Sequence, residues 1–266
     1  LLEAPGRLFC SPDGHGGMLA ALDKSGCLSE IEQRGIEYLF YFQVDNPLVR
    51  VADPVFVGHH ILARSEMTTQ VICKQDPLEK VGNVAKIGGK LRVIEYSDLP
   101  DEAARRRLDD GSLALWAGSI AVHMFDTAFL RRMSQNADSL PFHHALKQVP
   151  YIDADGKHVD PETANAIKFE RFIFDLLPAA ENAIVVEVDE SRAFAPLKNA
   201  PGAAKDTPEY VQAAMLAEFR RWLEQAGVSV PETARVEISP HFALNEEELS
   251  RRLDDLPPIA GELFIN

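Results

Sequence analysis

Apolar and polar positions along this chain form runs and repeats that outline its elements. The nearly all-apolar, aromatic-rich stretch at 37–44 (EYLFYFQV) predicts a buried parallel strand. Residues 70–74 and 183–188 predict further strands, and 113–124 is strand-like at its start. Residues 83–87 and 90–96 predict a hairpin about Gly88 and Gly89. Helices are expected at 17–23, 54–63, 101–109 and 128–136. Apolar residues at Phe169, Phe172, Ile173, Leu176 and Leu177 give 169–177 a helical period, and Val211, Met215, Leu216, Phe219 and Leu223 do the same for 209–225. A short strand is expected at 149–152, a turn at Asp155-Gly156, and a loop in the Pro-, Gly- and Ala-rich 198–208. After Pro231 come a short strand at 235–238 and the acidic 245–255. The order predicts an α/β fold with a mixed sheet and an antiparallel insertion over 1–230, followed by a small C-terminal cap over 231–266.

Composition narrows the class. At 266 residues, with 46% hydrophobic content and a mean hydropathy of -0.13, the chain can bury one substantial core. No apolar run reaches the ~20 residues that cross a bilayer, so a cytoplasmic protein without membrane partners is expected. Lys+Arg 27 against Asp+Glu 41 leaves a net charge of -14, a poor match to nucleic acid. Local lysines, backbone N–H groups and a divalent cation can still hold a phosphorylated substrate. Cys10, Cys27 and Cys73 lack Cys-x-x-Cys spacing, and the pairs His59-His60 and His143-His144 lack a third ligand at a useful spacing; neither pattern suggests zinc.

Two segments carry the candidate chemistry. In 11–17 (SPDGHGG), Gly14, Gly16 and Gly17 let the backbone approach a ligand closely. In 35–54 (GIEYLFYFQVDNPLVRVADP), Asp45 comes where an apolar strand ends, the usual place for active groups in an open α/β sheet. Four more blocks follow in order, at 90–97 (KLRVIEYS), 117–125 (AGSIAVHMF), 167–175 (IKFERFIFD) and 194–200 (FAPLKNA). Together they resemble the eukaryotic-type UDP-sugar pyrophosphorylases, most closely the UDP-N-acetylhexosamine pyrophosphorylase branch and its bacterial relatives.

That resemblance implies a Rossmann-like nucleotidyltransferase fold of the GT-A kind. It also implies transfer of UMP from UTP to a hexose-1-phosphate, with N-acetylglucosamine-1-phosphate the expected acceptor. In-line attack at the α-phosphorus asks the protein to position and neutralise rather than to form a covalent bond. By the same resemblance Asp45 holds Mg²⁺ and the triphosphate, Lys168 meets the UTP phosphates and Lys198 the sugar phosphate. Gly14 and His15 touch uridine and sugar, His15 standing where the family usually has Asn. Glu95 and Tyr96 face the sugar. Ser119 stands where the N-acetylhexosamine enzymes carry Asn, which puts the acetamido preference in question. Asp53, before Pro54, is instead an expected helix N-cap.

Other readings of the same residues stay open. Asp45 could cap a turn before Pro47, the glycines could serve the turn alone, Glu95 could be an exposed strand residue, and both lysines could be surface charges. Family members also carry, upstream, a glycine-rich triphosphate loop and a uracil-reading glutamine segment; neither pattern occurs in these residues, so 1–230 is expected to be a partial, N-terminally truncated catalytic domain. The alternative function is a non-catalytic UDP-sugar-binding relative. A Rossmann oxidoreductase is disfavoured because no Gly-x-Gly-x-x-Gly joins a strand to a helix.

Overall fold

The computed structural model describes residues 1–135 and 140–266; Asn136, the expected end of one helix, lies outside the described residues. The chain divides into two compact units, Leu1–Tyr41 with Ala52–Val186, and Phe42–Val51 with Glu187–Asn266. The expected cap at 231–266 is therefore the end of a larger second unit that begins at Glu187 and includes a ten-residue excursion from the first.

In the first unit β1 (Leu2–Ala4) and β2 (Arg7–Leu8) form a small antiparallel ribbon. Helices α1 (Gly17–Lys24) and α2 (Cys27–Gln33) bury Leu19 and Leu28 and lead into β3 (Tyr38–Tyr41). Helix α3 (Pro54–Leu62) begins as its sequence dictates: the Asp53 carboxylate accepts from the N–H groups of Val55 (2.7 Å) and Phe56 (3.2 Å), and Pro54 occupies a first-turn position that needs no donor. After β4 (Met67–Cys73), β5 (Gly82–Ile87) and β6 (Lys90–Ile94) form the expected hairpin, with Gly88 and Gly89 at φ of 59° and 82°. Helix α4 (Asp101–Ala104) is a single turn, not the longer helix expected, because by Arg107 the chain has become extended and bridges to Leu113.

Strand β7 (Ala117–Asp126) organises the six-stranded sheet. It pairs antiparallel with β3, β4 and β5, so Tyr41 lies opposite His123 and Gly82 opposite Ser119. The 37–44 run is thus a shorter, antiparallel strand rather than a parallel one: its apolar pattern reports burial, not strand direction. The register of β4 against β7 shifts between Thr69 and Val71, where Ala121 takes a φ of 55°. Helix α5 (Thr127–Ser134) follows, capped by Asp126.

A second ribbon pairs β8 (His143–Lys147) with a later strand, and a third pairs β9 (Tyr151–Ile152) with β10 (His158–Val159). The partner of β8 is β11 (Ala166–Glu170). The helix expected at 169–177 is instead the end of β11 followed by a 3-10 helix, Ile173–Ala179. Its helical spacing joins two elements: Phe169 is exposed on the ribbon, whereas Ile173, Leu176 and Leu177 are fully buried in the core. β12 (Ala183–Glu187) then joins the sheet beside β4.

The second unit holds α6 (Glu190–Ala193), α7 (Pro208–Gln225), β13 (Arg235–Ile238), α8 (Glu246–Ser250) and β14 (Glu262–Ile265), with β13 and β14 parallel. Its core gathers Trp222, Leu223, Val236, Ile238, Phe242, Leu249 and Ile265. The buried Glu218 carboxylate accepts from Arg192, Arg221 and the Trp222 indole, so its desolvation is offset by several donors. Among the described residues no helix is long and apolar enough to cross a membrane.

Candidate functional site

The glycine-rich segment docks on the turn that follows β11. Gly16 N–H donates to the Arg171 carbonyl at 2.7 Å, and Arg171 N–H donates to that of Asp13 at 2.9 Å. The Arg171 guanidinium also grips the Asp13 carboxylate through two nitrogens. A Cβ built on Gly14 would strike the Arg171 carbonyl, and one on Gly16 would lie 2.6 Å from Arg171 C and 2.7 Å from Phe172 N. Close backbone approach therefore demands these two glycines, and Gly14 also takes a φ of 73°.

This docking fixes His15. Its Nδ1 accepts from the Ile173 N–H at 3.0 Å, and its ring stacks on Phe172 with centroids 5.0 Å apart. Burial lowers its pKa from 6.5 to about 4, with Glu170 opposing and His143 reinforcing the shift. At neutral pH the ring is uncharged, and because Nδ1 is an acceptor the proton sits on Nε2. His15 thus presents a neutral N–H donor at Nε2.

Lys168, on β11, donates to Glu170 Oε1 at 2.8 Å from the same face of the strand. An ammonium has three donors, so two remain for an anion. The Glu95-Tyr96 pair follows β6, and Tyr96 is exposed. Ser119 lies on β7, 8% exposed, its hydroxyl accepting from the Ala121 N–H at 3.4 Å. Glu95 and Ser119 come together about Gly82: a Cβ built there would be 3.7 Å from Glu95 Oε2 and 3.8 Å from Ser119 Cβ. Sequence reasoning missed Gly82; the signal was a glycine at the start of the first hairpin strand, where a side chain would crowd a neighbour.

Two further polar residues near this group are tied into the fold. His123 is fully buried, bonded through Nδ1 to Thr69 Oγ1 at 3.0 Å and stacked on Tyr41. Burial, assisted by His15, lowers its pKa to about 3. Lys74 is 4% exposed and spans from the Asn83 amide oxygen (2.5 Å) to the Pro77 carbonyl (3.0 Å). It pins the β4–β5 connection.

Asp45 and Lys198 belong to the second unit, where the backbone links their segments. Leu197 N–H donates to the Asp45 carbonyl at 2.8 Å, which sets the residue before Lys198 against Asp45. Beside it Asn46, 3% exposed, donates to Ala193 O at 2.8 Å and accepts from Ala195 N at 3.0 Å. Asn46 was another residue missed from sequence; its tie spans nearly 150 positions. The Asp45 carboxylate makes no hydrogen bond or ion pair among the described residues, and Lys198, exposed, has its ammonium 5.9 Å from the Phe194 ring centroid. The Lys198 and Asn199 N–H groups both donate to Asp206 O, closing the loop behind them.

Two neutral histidines, the half-buried His15 and the fully buried His123, make stability depend on acid. Each has a folded pKa below its unfolded value, so the unfolded chain takes up their protons first. Their contribution is complete above about pH 6.5 and is lost as pH falls toward the folded values of about 4 and 3. Urea-unfolding free energy is expected to drop by a few kcal/mol between about pH 7 and 4, with the slope reduced in His15→Asn. A flat profile over that range would sink this assignment.

The chain is similar in sequence and fold to known proteins. A family model described as UTP–glucose-1-phosphate uridylyltransferase matches residues 6–260. The chain is 40% identical over 228 residues to UDP-N-acetylhexosamine pyrophosphorylase-like protein 1 of Xenopus tropicalis, covering 85% of this chain and 45% of that protein. It is 37% identical over 255 residues to UDP-N-acetylglucosamine pyrophosphorylase of Saccharomyces cerevisiae, covering 94% and 54%. The crystal structure of the Trypanosoma brucei uridine diphosphate N-acetylglucosamine pyrophosphorylase in complex with an inhibitor superposes with a TM-score of 0.81 at 28% identity, over 100% of this chain and 57% of that one. The chain spans about half the length of these curated relatives. The expected nucleotidyltransferase-like α/β fold is thereby established.

Proposed function

The chain belongs to the UTP–glucose-1-phosphate uridylyltransferase family, and we propose that it works in UMP transfer from UTP to a hexose-1-phosphate, N-acetylglucosamine-1-phosphate foremost, in the cytoplasm. One observation carries the reading most directly. Glu95 and Ser119, two sugar-facing positions from separate strands and turns, meet about Gly82. A carboxylate there accepts from vicinal hydroxyls of a hexose ring, and a seryl hydroxyl can donate or accept beside it.

In this proposal a phosphate oxygen of the sugar-1-phosphate attacks the α-phosphorus in line, a P–O bond forms, and the bond to pyrophosphate breaks. Lys168 neutralises UTP phosphates and Lys198 the sugar phosphate, while the Nε2–H of His15 donates to the sugar. Asp45 suits Mg²⁺: an unengaged carboxylate fits a cation that completes its shell with substrate phosphates and water. When bound, the ion supplies charge neutralisation at the triphosphate. Three exposed, unpaired cysteines suit a reducing compartment.

The test is Mg²⁺-dependent pyrophosphate release from UTP with GlcNAc-, GalNAc-, Glc- and Gal-1-phosphate, measured on this chain and on any longer product of its gene. Turnover with a hexose-1-phosphate supports the reading and identifies the sugar. Binding of UDP-sugar without turnover in either protein would leave a binding relative instead.

A further inference from the structure

Outside the residues assigned above, the first unit contains a histidine held between two carboxylates. His143 Nδ1 lies 3.0 Å from Asp98 Oδ2, and Nε2 lies 2.8 Å from Asp175 Oδ2. An ionised carboxylate only accepts, so both ring nitrogens carry protons when both bonds are made. The three residues come from different places: β8, the segment after β6, and the 3-10 helix.

These places matter because of what adjoins them. Asp98 N–H donates to the Glu95 carbonyl at 2.9 Å, closing a tight turn that runs from Glu95 through Tyr96 and Ser97 to Asp98. Within the β8–β11 ribbon, His143 is paired with Glu170, the partner of Lys168. The His143 ring also packs, tilted by 37°, against Phe172 with centroids 4.7 Å apart, the same ring that supports His15. We infer that His143 is a positioning residue, whose two N–H groups hold Asp98 and Asp175 and so set the Glu95-Tyr96 turn for the sugar-1-phosphate.

The inference rests on the uridylyltransferase reading. It adds a pH dependence whose sign follows from the surroundings. Facing His143 are Asp98, Asp175 of the 3-10 helix, Glu170 of β11 and His15 of the glycine segment, while Arg92 of β6 acts on Asp175. Burial alone would lower the ring's pKa; the hydrogen bonds and charges of Asp175 and Asp98 outweigh it and leave it raised. The clamp is therefore complete below about pH 6.5 and is released as pH rises through the raised value.

The experiment follows KM for the hexose-1-phosphate between about pH 6 and 9, alongside NMR titration of the His143 ring and of the 95–98 amides. In the wild type, KM is expected to rise about tenfold as the ring deprotonates, with the amides moving at the same midpoint and KM for UTP unchanged. His143→Gln should show the high KM at every pH without an inflection, and His143→Arg a lower, flat one. A wild-type KM that stays flat while the ring titrates overturns the inference, as does an inflection that persists in His143→Gln. Absence of turnover in the wild type at every pH would instead remove the uridylyltransferase reading. Positioning of the 95–98 turn would then be upheld by amides that follow the ring and overturned by amides that do not.

Discussion

Asp45→Ala is expected to lower Mg²⁺-dependent pyrophosphate release by about 10²–10³-fold, the usual consequence of removing one preorganised electrostatic group, while leaving the fold intact. The two halves of this expectation have separate origins. The segment is held through groups that alanine keeps: the Asp45 carbonyl receives the Leu197 N–H, and the neighbouring Asn46 side chain makes two further bonds. The carboxylate has no hydrogen bond or ion pair among the described residues, so its removal costs little stability. Thermal unfolding should shift by no more than about 2–4 °C, the equivalent of ~1 kcal/mol in a chain of this size. Asp45→Asn keeps the shape and loses the charge, and should be nearly as inactive. A variant that retains the wild-type rate would exclude Asp45 from the phosphate and cation site.

The largest stability loss is expected at Gly14. Alanine there meets two penalties, since a side chain in the left-handed region costs about 1–2 kcal/mol, and its Cβ would strike the Arg171 carbonyl. Overpacking of this sort adds about 1–3 kcal/mol. Gly16 isolates the second penalty, because its own φ of -66° suits any residue whereas its Cβ would crowd Arg171 and Phe172. Gly26 isolates the first: it has a φ of 79° with nothing within 4 Å of a built Cβ. Urea unfolding of the three alanine variants should therefore rank Gly14→Ala as most destabilised, at about 2–5 kcal/mol. Equal losses at Gly14 and Gly26 would show that the segment does not depend on close contact with the 171–172 backbone. Because that contact also fixes the His15 ring, Gly16→Ala should weaken sugar-phosphate binding as well.

Local chemistry was legible wherever neighbours in sequence supply both partners. Asp53 and Pro54 announce a capped helix because the cap acceptor and its donors lie within three residues. Gly88-Gly89 announces a hairpin because a two-residue turn needs positive φ there. The long apolar stripe at Val211 to Leu223 announces α7 because its period is its own. The order of the six blocks carried the family and, with it, the candidate residues.

What remained hidden depends on residues distant in sequence. The 169–177 spacing imitates a helix because a strand end and a 3-10 helix happen to follow one another. Burial alone could not tell that 37–44 runs antiparallel to β7. Nor could any local pattern show that 42–51 leaves its neighbours to join a unit formed by 187–266, since Asn46 and Arg50 find their partners in Ala193, Ala195 and Glu246. The tautomer of His15, the meeting of Glu95 with Ser119 beside Gly82, and the two carboxylates on His143 are likewise products of tertiary contact. Turns, caps and periodic stripes can be read along the chain because each is set within a few residues. The partners, protonation and unit of each residue follow from the packed fold, because burial and charge at each site are set by groups brought from far along the chain.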